Sequence, residues 1–210
     1  MQNKEMKYYS QNQEEKYILD FFKGRKGTLL SIGENDGVTF SNAKRLIENG
    51  WKAILVEPSH SAFNMLAELH KDNKNVSLVN CAIGHMNYVT RFHESGPHLY
   101  DRSDNALLST INEQEKSRWK NVEWIEYDVD VITYDELTYR TGVKSFNFIT
   151  IDAEGVDTII LRQIDLSECD LLCIEWNGKS EVAIEILKHT HQFGMKNIVY
   201  QNSENLIISR

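Results

Sequence analysis

The chain has 210 residues, which corresponds to one domain at roughly 150 residues per domain. Hydrophobic residues make up 41% and charged residues 26%, a composition that is ordinary for a globular protein and excludes collagen-like, disordered and coiled-coil classes. Acidic side chains outnumber basic ones by 31 to 23, and the net charge is -8. A general nucleic-acid-binding function is therefore not expected.

The sequence also predicts a cytoplasmic protein without membrane contact. No run approaches the ~20 apolar residues of a membrane span, and residues 1–16 lack the apolar stretch of a signal peptide. The cysteines Cys81, Cys169 and Cys173 are odd in number and lack C-x-x-C spacing, so we expect reduced, buried thiols. A homodimer is compatible with the sequence, which does not by itself define an oligomeric state.

Strand-like and helix-like segments alternate along the chain. Four apolar runs are typical of strands buried on both faces: residues 28–32, 53–56, 146–151 and 171–174. Helices are predicted over 41–49, from Ser59 onwards, over 156–163 and over 180–193, with a further strand at 76–82 and a closing hairpin at 197–200 and 206–209. This order predicts one α/β domain over 1–210 with a Rossmann-like, doubly wound, mostly parallel sheet.

Two segments stand apart from this alternation. Residues 1–26 are expected to contain an N-terminal helical segment. Residues 91–120 are polar and without a clear period, and they precede an alternating, strand-like segment at 122–133. Structureless connections of that length are often lids or binding loops, so we expect a mobile, acceptor-binding lid that also carries Tyr100, Asp101 and Arg102.

A glycine turn follows the first predicted strand and indicates a nucleoside-binding end. The turn reads Gly33-Glu34-Asn35-Asp36-Gly37, and Glu57 ends the second strand, where a carboxylate can accept both hydrogen bonds of a ribose diol. Asn35 replaces the second glycine of G-x-G-x-x-G, which disfavours a dinucleotide. The pattern suits S-adenosylmethionine, with its adenine near the Cys81-Ala82 strand end.

Paired polar residues end the next two strands and are candidates for the chemistry. Asp152 and Glu154, at i and i+2, can face the same crevice and raise each other's pKa, as a general base requires. Alternatively, one of them caps the following helix. Asp152, Glu175 and Asn177 form an oxygen set suited to Mg²⁺ or Mn²⁺.

Three further side chains are candidates for contact with the acceptor. The loop histidines His93 and His98 could reach it, with His98 the candidate for catalysis, although each is also readable as a solvated loop residue. Trp176 could form a wall of the substrate site.

Taken together, the sequence resembles the FkbM-type methyltransferases, a branch of the class I S-adenosylmethionine-dependent enzymes. The resemblance is carried by short motifs that span about three quarters of the chain in the family's order: Tyr9-Ser10-Gln11 with Glu14-Glu15, the 31–37 turn, Ser41-Asn42, Gly50-Trp51, Val56-Glu57-Pro58, residues 80–84, Leu108-Ser109-Thr110 and residues 151–155.

This resemblance implies an O-methyltransferase that acts on a hydroxyl of a saccharide or another natural product, with a seven-stranded sheet containing a reversed strand. The cofactor residues that it implies or that the motifs place beside them are Gln11, Gly33, Glu34, Asn35, Asp36, Gly37, Glu57, Pro58, Ser59, Cys81, Ala82 and Asp152.

The chain departs from the family pattern at three positions. Ser31 stands where family members usually carry an acid, Glu34 stands where they carry a small residue, and Thr150 stands where they often carry lysine. Either the acid that helps hold the methionine ammonium has moved to Glu34, or cofactor binding is weakened. Two other functions remain open: a nicotinamide-dependent oxidoreductase, and a non-catalytic binding domain with a decayed cofactor turn.

Overall fold

The computed structural model describes residues 8–97 and 104–210. Its strands are β1 (Thr28–Ile32), β2 (Lys52–Val56), β3 (Val76–Val79), β4 (Ala82–Ile83), β5 (Tyr88–Ser95), β6 (Trp124–Ile132), β7 (Phe148–Ile151), β8 (Leu171–Glu175), β9 (Asn197–Gln201) and β10 (Asn205–Ser209). Seven of them form one sheet in the order β3-β2-β1-β7-β8-β10-β9. Strand β10 is antiparallel to both of its neighbours, and the other pairs are parallel. The predicted Rossmann-like sheet with a reversed strand is confirmed.

Helices cover both faces of this sheet. They are α1 (Glu14–Phe22), α2 (Lys44–Glu48), α3 (His60–His70), α4 (Glu113–Lys116), α5 (Tyr134–Thr141), α6 (Asp157–Leu161) and α7 (Ser180–Gln192). Because successive strand side chains point to opposite faces, Leu29 packs with α1, α2 and α3, whereas Leu30 packs with α5, α6 and α7. The winding therefore reverses between β1 and β7, where ligands of such sheets bind.

The predicted strand at 76–82 is wrong in its extent. Strand β3 ends at Val79, and Ala82 begins β4, which pairs with β6 in a separate three-stranded sheet of order β4-β6-β5. The prediction of a structureless segment over 91–120 is also wrong in part, because β5 continues through Ser95 and α4 lies at Glu113–Lys116. The alternating segment at 122–133 is β6, as predicted.

Local signals at helix starts agree with the structure where a side chain provides the cap. Ser59 precedes α3, and its hydroxyl accepts the Ala62 N–H at 3.1 Å, as predicted for an N-cap. The predicted N-terminal helical segment contains α1, and residues 1–7 lie outside the described part. No helix within residues 8–97 and 104–210 is long and apolar enough to cross a membrane.

Candidate functional site

A cavity of about 300 Å³ lies at the carboxyl ends of β1, β2, β7 and β8. Each of these strands contributes residues that directly follow it or end it: the glycine turn after β1, Glu57 after β2, Asp152 after β7 and Glu175 at the end of β8. The volume is at the lower end of the range for small-molecule sites. Parallel strands place their carboxyl ends on one edge of the sheet, so residues far apart in sequence share this cavity.

The glycine turn is shaped for close contact between two backbone segments. Gly33 has a φ of 80°, and a Cβ atom there would lie 1.7 Å from the Asp152 carbonyl oxygen. Only glycine leaves that space free at a positive φ. Gly37 serves a different purpose, because its Cβ would clash with the Leu66 side chain at 2.6 Å. Gly37 therefore allows the turn to pack on α3, and it does not line the cavity.

Glu57 is buried at the cavity wall, and two backbone donors fix its carboxylate. The Asn35 N–H donates to it at 2.8 Å and the Ser59 N–H at 2.7 Å. Burial is the main cause that raises the pKa of Glu57, to about 7, and these two hydrogen bonds oppose that shift. Each carboxylate oxygen accepts one backbone hydrogen bond and has a further lone pair for a ligand hydroxyl.

Glu34 is also buried, and it contacts Ser31, the residue that replaces the family's usual acid. Its carboxylate accepts the Ser31 hydroxyl at 2.5 Å and the Ser41 hydroxyl at 2.6 Å. Burial raises the pKa of Glu34 to about 7. The structure therefore brings the Glu34 carboxylate within hydrogen-bond distance of the hydroxyl at position 31, on the cavity wall.

The predicted adenine edge lies at the same cavity, and a segment from the predicted loop covers it. Cys81 and Ala82 line the wall together with the buried ring of Phe92 and with residues 106–111. The Asn35 side chain donates to the Asn105 carbonyl at 2.9 Å, and the Thr110 hydroxyl donates to the Glu154 carbonyl at 2.8 Å. The segment 105–110 is thus attached at both the β1 end and the β7 end of the cavity.

Three carboxylates meet at the ends of β7 and β8. One oxygen from each of Asp152, Glu154 and Glu175 lies within 4.8 Å of the others. By accessible surface Asp152 is exposed to the cavity, Glu154 is half-buried and Glu175 is buried. Desolvation by the surrounding protein, followed by repulsion from neighbouring acids, raises the pKa of Asp152 to about 7 and raises those of Glu154 and Glu175. No donor among the described residues forms a hydrogen bond with the side chain of Asp152 or Glu154.

A different acid, Asp157, stabilises the turn before α6. Its carboxylate accepts the Ala153 N–H at 2.9 Å and the Gly155 N–H at 3.1 Å. The alternative in which Asp152 or Glu154 caps this helix is therefore wrong. Because Asp157 accepts these turn N–H groups, the other two carboxylates remain available to a ligand.

Several predicted residues have another role in the structure. The Asp36 carboxylate accepts N–H groups of its own turn, and Ser59 caps α3; neither lines the cavity. His93 is buried against Glu113 and Glu126, so its predicted contact with the acceptor is wrong.

Two further predictions concern Trp176 and the polar residues of the predicted loop. Trp176 donates to the Asn202 carbonyl and lies away from the cavity, so its predicted role as a wall is wrong. His98, Tyr100, Asp101 and Arg102 lie outside the described residues.

Sequence reasoning missed part of the wall that comes from distant segments. These residues include Glu14, Asn42, Arg118, Trp119, Glu204 and Asn205. The buried Glu14 carboxylate accepts hydrogen bonds from the side-chain amides of Asn202 and Asn205, which brings the start of α1 to the turn between β9 and β10. Gln11, Pro58 and Asn177, which the sequence predicts as cofactor or metal residues, also line the cavity. No local pattern in the sequence marks contacts of this range.

A doubly wound sheet with a glycine turn, a strand-end acid and a cavity at the winding reversal is a nucleoside-cofactor-binding α/β domain. Residues 31–195, most of the chain, match the family model described as the methyltransferase FkbM domain. The chain therefore belongs to the FkbM family of S-adenosylmethionine-dependent methyltransferases.

Solved structures agree with this fold. Precorrin 8w decarboxylase from Methanobacterium thermoautotrophicum superposes with a TM-score of 0.51 at 9% identity, over 100% of this chain and 96% of that one. Fibrillarin from Aeropyrum pernix, in complex with natively bound S-adenosyl-L-methionine, has a TM-score of 0.50 at 12% identity, over 99% and 83%. At these identities the likeness concerns the fold alone. Comparison with curated proteins found no match.

Proposed function

We propose that this methyltransferase acts on a hydroxyl group of a saccharide or another small natural product, with Asp152 as the general base. The observation that carries the proposal is the position of the Asp152 carboxylate, which follows β7 on the cavity wall, accepts no hydrogen bond from any described residue, and has its pKa raised to about 7. A base with a pKa near the working pH is effective in proton transfer. The resemblance of the sequence motifs to FkbM-type enzymes supports the choice of oxygen and of a natural-product acceptor.

The cavity residues fit S-adenosylmethionine. Gly33 lets the turn pass directly against the Asp152 carbonyl at the cavity edge, and Glu57 presents fixed carboxylate oxygens suited to a ribose diol. Cys81 and Ala82 offer an apolar edge for adenine. Glu34, held by Ser31, is the acid that we assign to the methionine ammonium, so the carboxylate has moved three positions along the chain rather than been lost.

When bound, S-adenosylmethionine supplies a methyl group on a sulfonium, and its transfer to oxygen leaves S-adenosylhomocysteine and a proton. Asp152 accepts that proton from the acceptor hydroxyl in this proposal. Desolvation, followed by repulsion from Asp157, raises the proton affinity of this base. The remaining rate enhancement comes from positioning, because an acceptor oxygen that is held in line with the methyl group reacts in an effectively unimolecular step.

The part of the predicted 91–120 loop that follows β5 contributes a lid in this proposal. The segment 105–110 is attached to the cofactor turn through Asn35 and to the catalytic end through Glu154. A wall with such attachments excludes water when the acceptor is bound. The Arg118 side chain and Trp119 line the cavity from the same part of the chain, so the lid and the acceptor pocket are formed together.

A divalent metal is a second way in which this end of the cavity could activate the acceptor. Asp152, Glu154 and Glu175 supply three neighbouring oxygen ligands. The sequence predicted Asp152, Glu175 and Asn177, and the structure adds Glu154 to that set. Mg²⁺ and Mn²⁺ favour such oxygen ligands. Removal of metal with EDTA separates the two mechanisms: activity that is lost and then restored by Mg²⁺ or Mn²⁺ supports the metal, whereas unchanged activity supports proton transfer to Asp152 alone.

Calorimetric titration with S-adenosylhomocysteine and with NADH tests the proposed cofactor site. Binding of S-adenosylhomocysteine alone supports the proposal, and binding of NADH alone would replace it with a nicotinamide-dependent function. Binding of neither would indicate a domain that has lost its cofactor. The acceptor class is then tested by transfer of labelled methyl to a panel of saccharides and natural products, with mass spectrometry to distinguish O-methylation from N- or C-methylation.

A further inference from the structure

His93 lies outside the cavity wall, and its buried ring joins three elements next to it. The ring belongs to β5. Its Nε2 atom lies 2.8 Å from the Glu113 carboxylate at the start of α4, and its Nδ1 atom lies 3.1 Å from the Glu126 carboxylate on β6. The ring donates to one of these carboxylates when neutral and to both when protonated. One side chain of β5 therefore connects α4 with β6.

Lys116 adds a second attachment between α4 and β6. Its ammonium lies 2.5 Å from the Glu126 carboxylate and 3.6 Å from the Glu113 carboxylate. The Lys116 side chain is 22% exposed, whereas the His93 side chain is 6% exposed. Water and salt weaken exposed ion pairs, and the entropy of a long side chain opposes them. The histidine attachment is therefore the less screened of the two.

The backbone of His93 holds the segment that leads into α4. Its N–H donates to the Thr110 carbonyl at 2.9 Å, and the Thr110 N–H donates to the His93 carbonyl at 3.0 Å. The Thr110 hydroxyl donates in turn to the Glu154 carbonyl at the cavity. These bonds do not involve the ring, so a substitution at position 93 leaves them in place while it changes the contact with α4.

Helix α4 leads directly to two residues of the cavity wall. The Arg118 N–H donates to the Glu115 carbonyl at 3.0 Å and the Trp119 N–H to the Lys116 carbonyl at 3.2 Å, so both residues continue the turns of α4. Their side chains line the cavity, and the guanidinium lies over the indole ring, 5.5 Å from its centroid. The position of α4 therefore decides where these two side chains lie.

We propose that His93 is a positioning residue, whose ring holds α4 through Glu113 and thereby sets residues 118–119 on the cavity wall. The assignment of that wall to the methyl acceptor rests on the proposed function, whereas the attachment of α4 does not. His93 thus serves the acceptor site without touching the acceptor. Loss of its contact with Glu113 should let α4 move outwards and expose Trp119 to water.

Two substitutions at position 93 separate this role from simple packing. Glutamine carries its amide nitrogen one bond further from Cβ than asparagine does, as Nε2 of histidine is one bond further from Cβ than Nδ1. His93→Gln can therefore keep a donor for Glu113, whereas His93→Asn can keep a donor for Glu126 only. Both variants lose the buried ring, so both should lower the Tm to a similar extent.

Fluorine NMR of the full-length protein labelled with fluorotryptophan measures the position of Trp119. The chain has four tryptophans, and Trp119→Phe identifies the signal of interest. The change of that signal between light and heavy water reports contact of the ring with solvent. We expect His93→Gln to match the wild type. In His93→Asn, the opened fraction should rise about three- to tenfold, the scale of one hydrogen bond.

Glu113→Ala tests the partner of the ring directly. Glu113 is exposed, so this variant should fold even if substitutions within β5 do not, and by itself it should release Trp119 about as much as His93→Asn does. Combined with Glu113→Ala, the two substitutions at position 93 should give the same Trp119 signal, because neither amide has a carboxylate on α4 to reach. Gln114→Ala, at the exposed neighbouring position, is the matched control and should leave the signal unchanged.

Four outcomes would overturn the inference. Wild-type Trp119 signals in both position-93 variants and in Glu113→Ala would show that the ring does not hold α4. Equal release by glutamine and asparagine would assign His93 to packing alone, and release by glutamine only would assign the attachment to Glu126. A difference between the two that persists with Glu113→Ala would exclude Glu113 as the partner.

Failure of the proposed function is recognised separately. It would appear as absent binding of S-adenosylhomocysteine to the wild type, whereas the Trp119 signal requires neither cofactor nor acceptor. Where S-adenosylhomocysteine binds, its dissociation constant should be the same in the wild type and in both position-93 variants, because the backbone bonds between His93 and Thr110 remain.

Discussion

Replacement of Glu57 by alanine tests the cofactor end of the cavity and the packing around it together. The substitution removes the carboxylate proposed to hold the ribose, and the loss of charge-assisted hydrogen bonds is worth about 1 to 3 kcal/mol. The dissociation constant for S-adenosylhomocysteine should therefore rise by about 5-fold to 150-fold. Isothermal titration calorimetry measures this change directly.

The same substitution should lower stability, because Glu57 accepts the N–H groups of Asn35 and Ser59. A buried donor left without an acceptor costs about 1 to 3 kcal/mol. Because water can partly reach these donors in the enlarged cavity, we expect the free energy of unfolding to fall by about 2 to 4 kcal/mol. For a chain of this length, that lowers the Tm by roughly 5 to 15 °C. Glu57→Gln keeps one carbonyl oxygen and should fall between the alanine variant and the wild type in both measurements.

Glu94 provides a matched control outside the cavity wall. Its carboxylate accepts the hydroxyls of Ser59 at 2.6 Å and Ser61 at 2.8 Å, so Glu94→Gln disturbs the start of α3 without removing a residue that lines the cavity. We expect a lower Tm with an unchanged dissociation constant. An unchanged dissociation constant in Glu57→Ala would remove Glu57 from the site, and an equal loss of affinity in Glu94→Gln would assign the effect to displacement of α3.

Four further outcomes are expected. Gly33→Ala should abolish S-adenosylhomocysteine binding in calorimetry, because its Cβ would lie 1.7 Å from the Asp152 carbonyl oxygen; wild-type affinity would contradict the role of the turn. Asp152→Asn should reduce methyl transfer by about 100-fold or more but change cofactor affinity little. A parallel loss of methyl transfer and cofactor affinity would show that Asp152 acts only in cofactor binding. Burial raises the pKa values of Glu34 and Glu57 to about 7, so the folded state binds these protons more tightly than the unfolded state. The stabilisation that these two tighter-bound protons provide is complete below a pH of about 4.5 and is lost as the pH rises through 7. The Tm of the cofactor-free protein should therefore fall between pH 5.5 and pH 8. A constant or rising Tm would refute the buried, protonated state of these carboxyls. Replacement of residues 96–104 by a Gly/Ser linker should preserve S-adenosylhomocysteine affinity and abolish turnover, whereas wild-type turnover would show that the lid is dispensable.

Much of the sheet and the cofactor turn could be predicted from the sequence because their signals are local. Strands that are buried on both faces appear in the sequence as continuous apolar runs, and β1 has the same bounds as the run predicted at 28–32. A glycine turn after one strand and an acid after the next predict a shared site, because parallel strands end at the same edge. The connection of β3 to β4 was mispredicted, since one apolar stretch does not show that its two halves pair with different sheets.

The roles of individual acids at the site were decided only by the tertiary structure. Asp152, Glu154 and Asp157 are all acids next to a helix start, yet only Asp157 accepts the N–H groups of the turn, and sequence spacing does not distinguish them. Glu34 is fixed by the Ser31 and Ser41 hydroxyls, a geometry that depends on how the turn folds over β1.

The closing wall of the cavity illustrates the same limit over longer distances. Glu14 meets Asn205 across 191 positions of the chain, and Thr110 bonds the carbonyl of Glu154. Sequence periodicity reports which residues are buried within one element, because the repeat of a helix or strand is local. Which buried carboxylates share one cavity depends on the packing of all elements together, and that packing gives this site its charge.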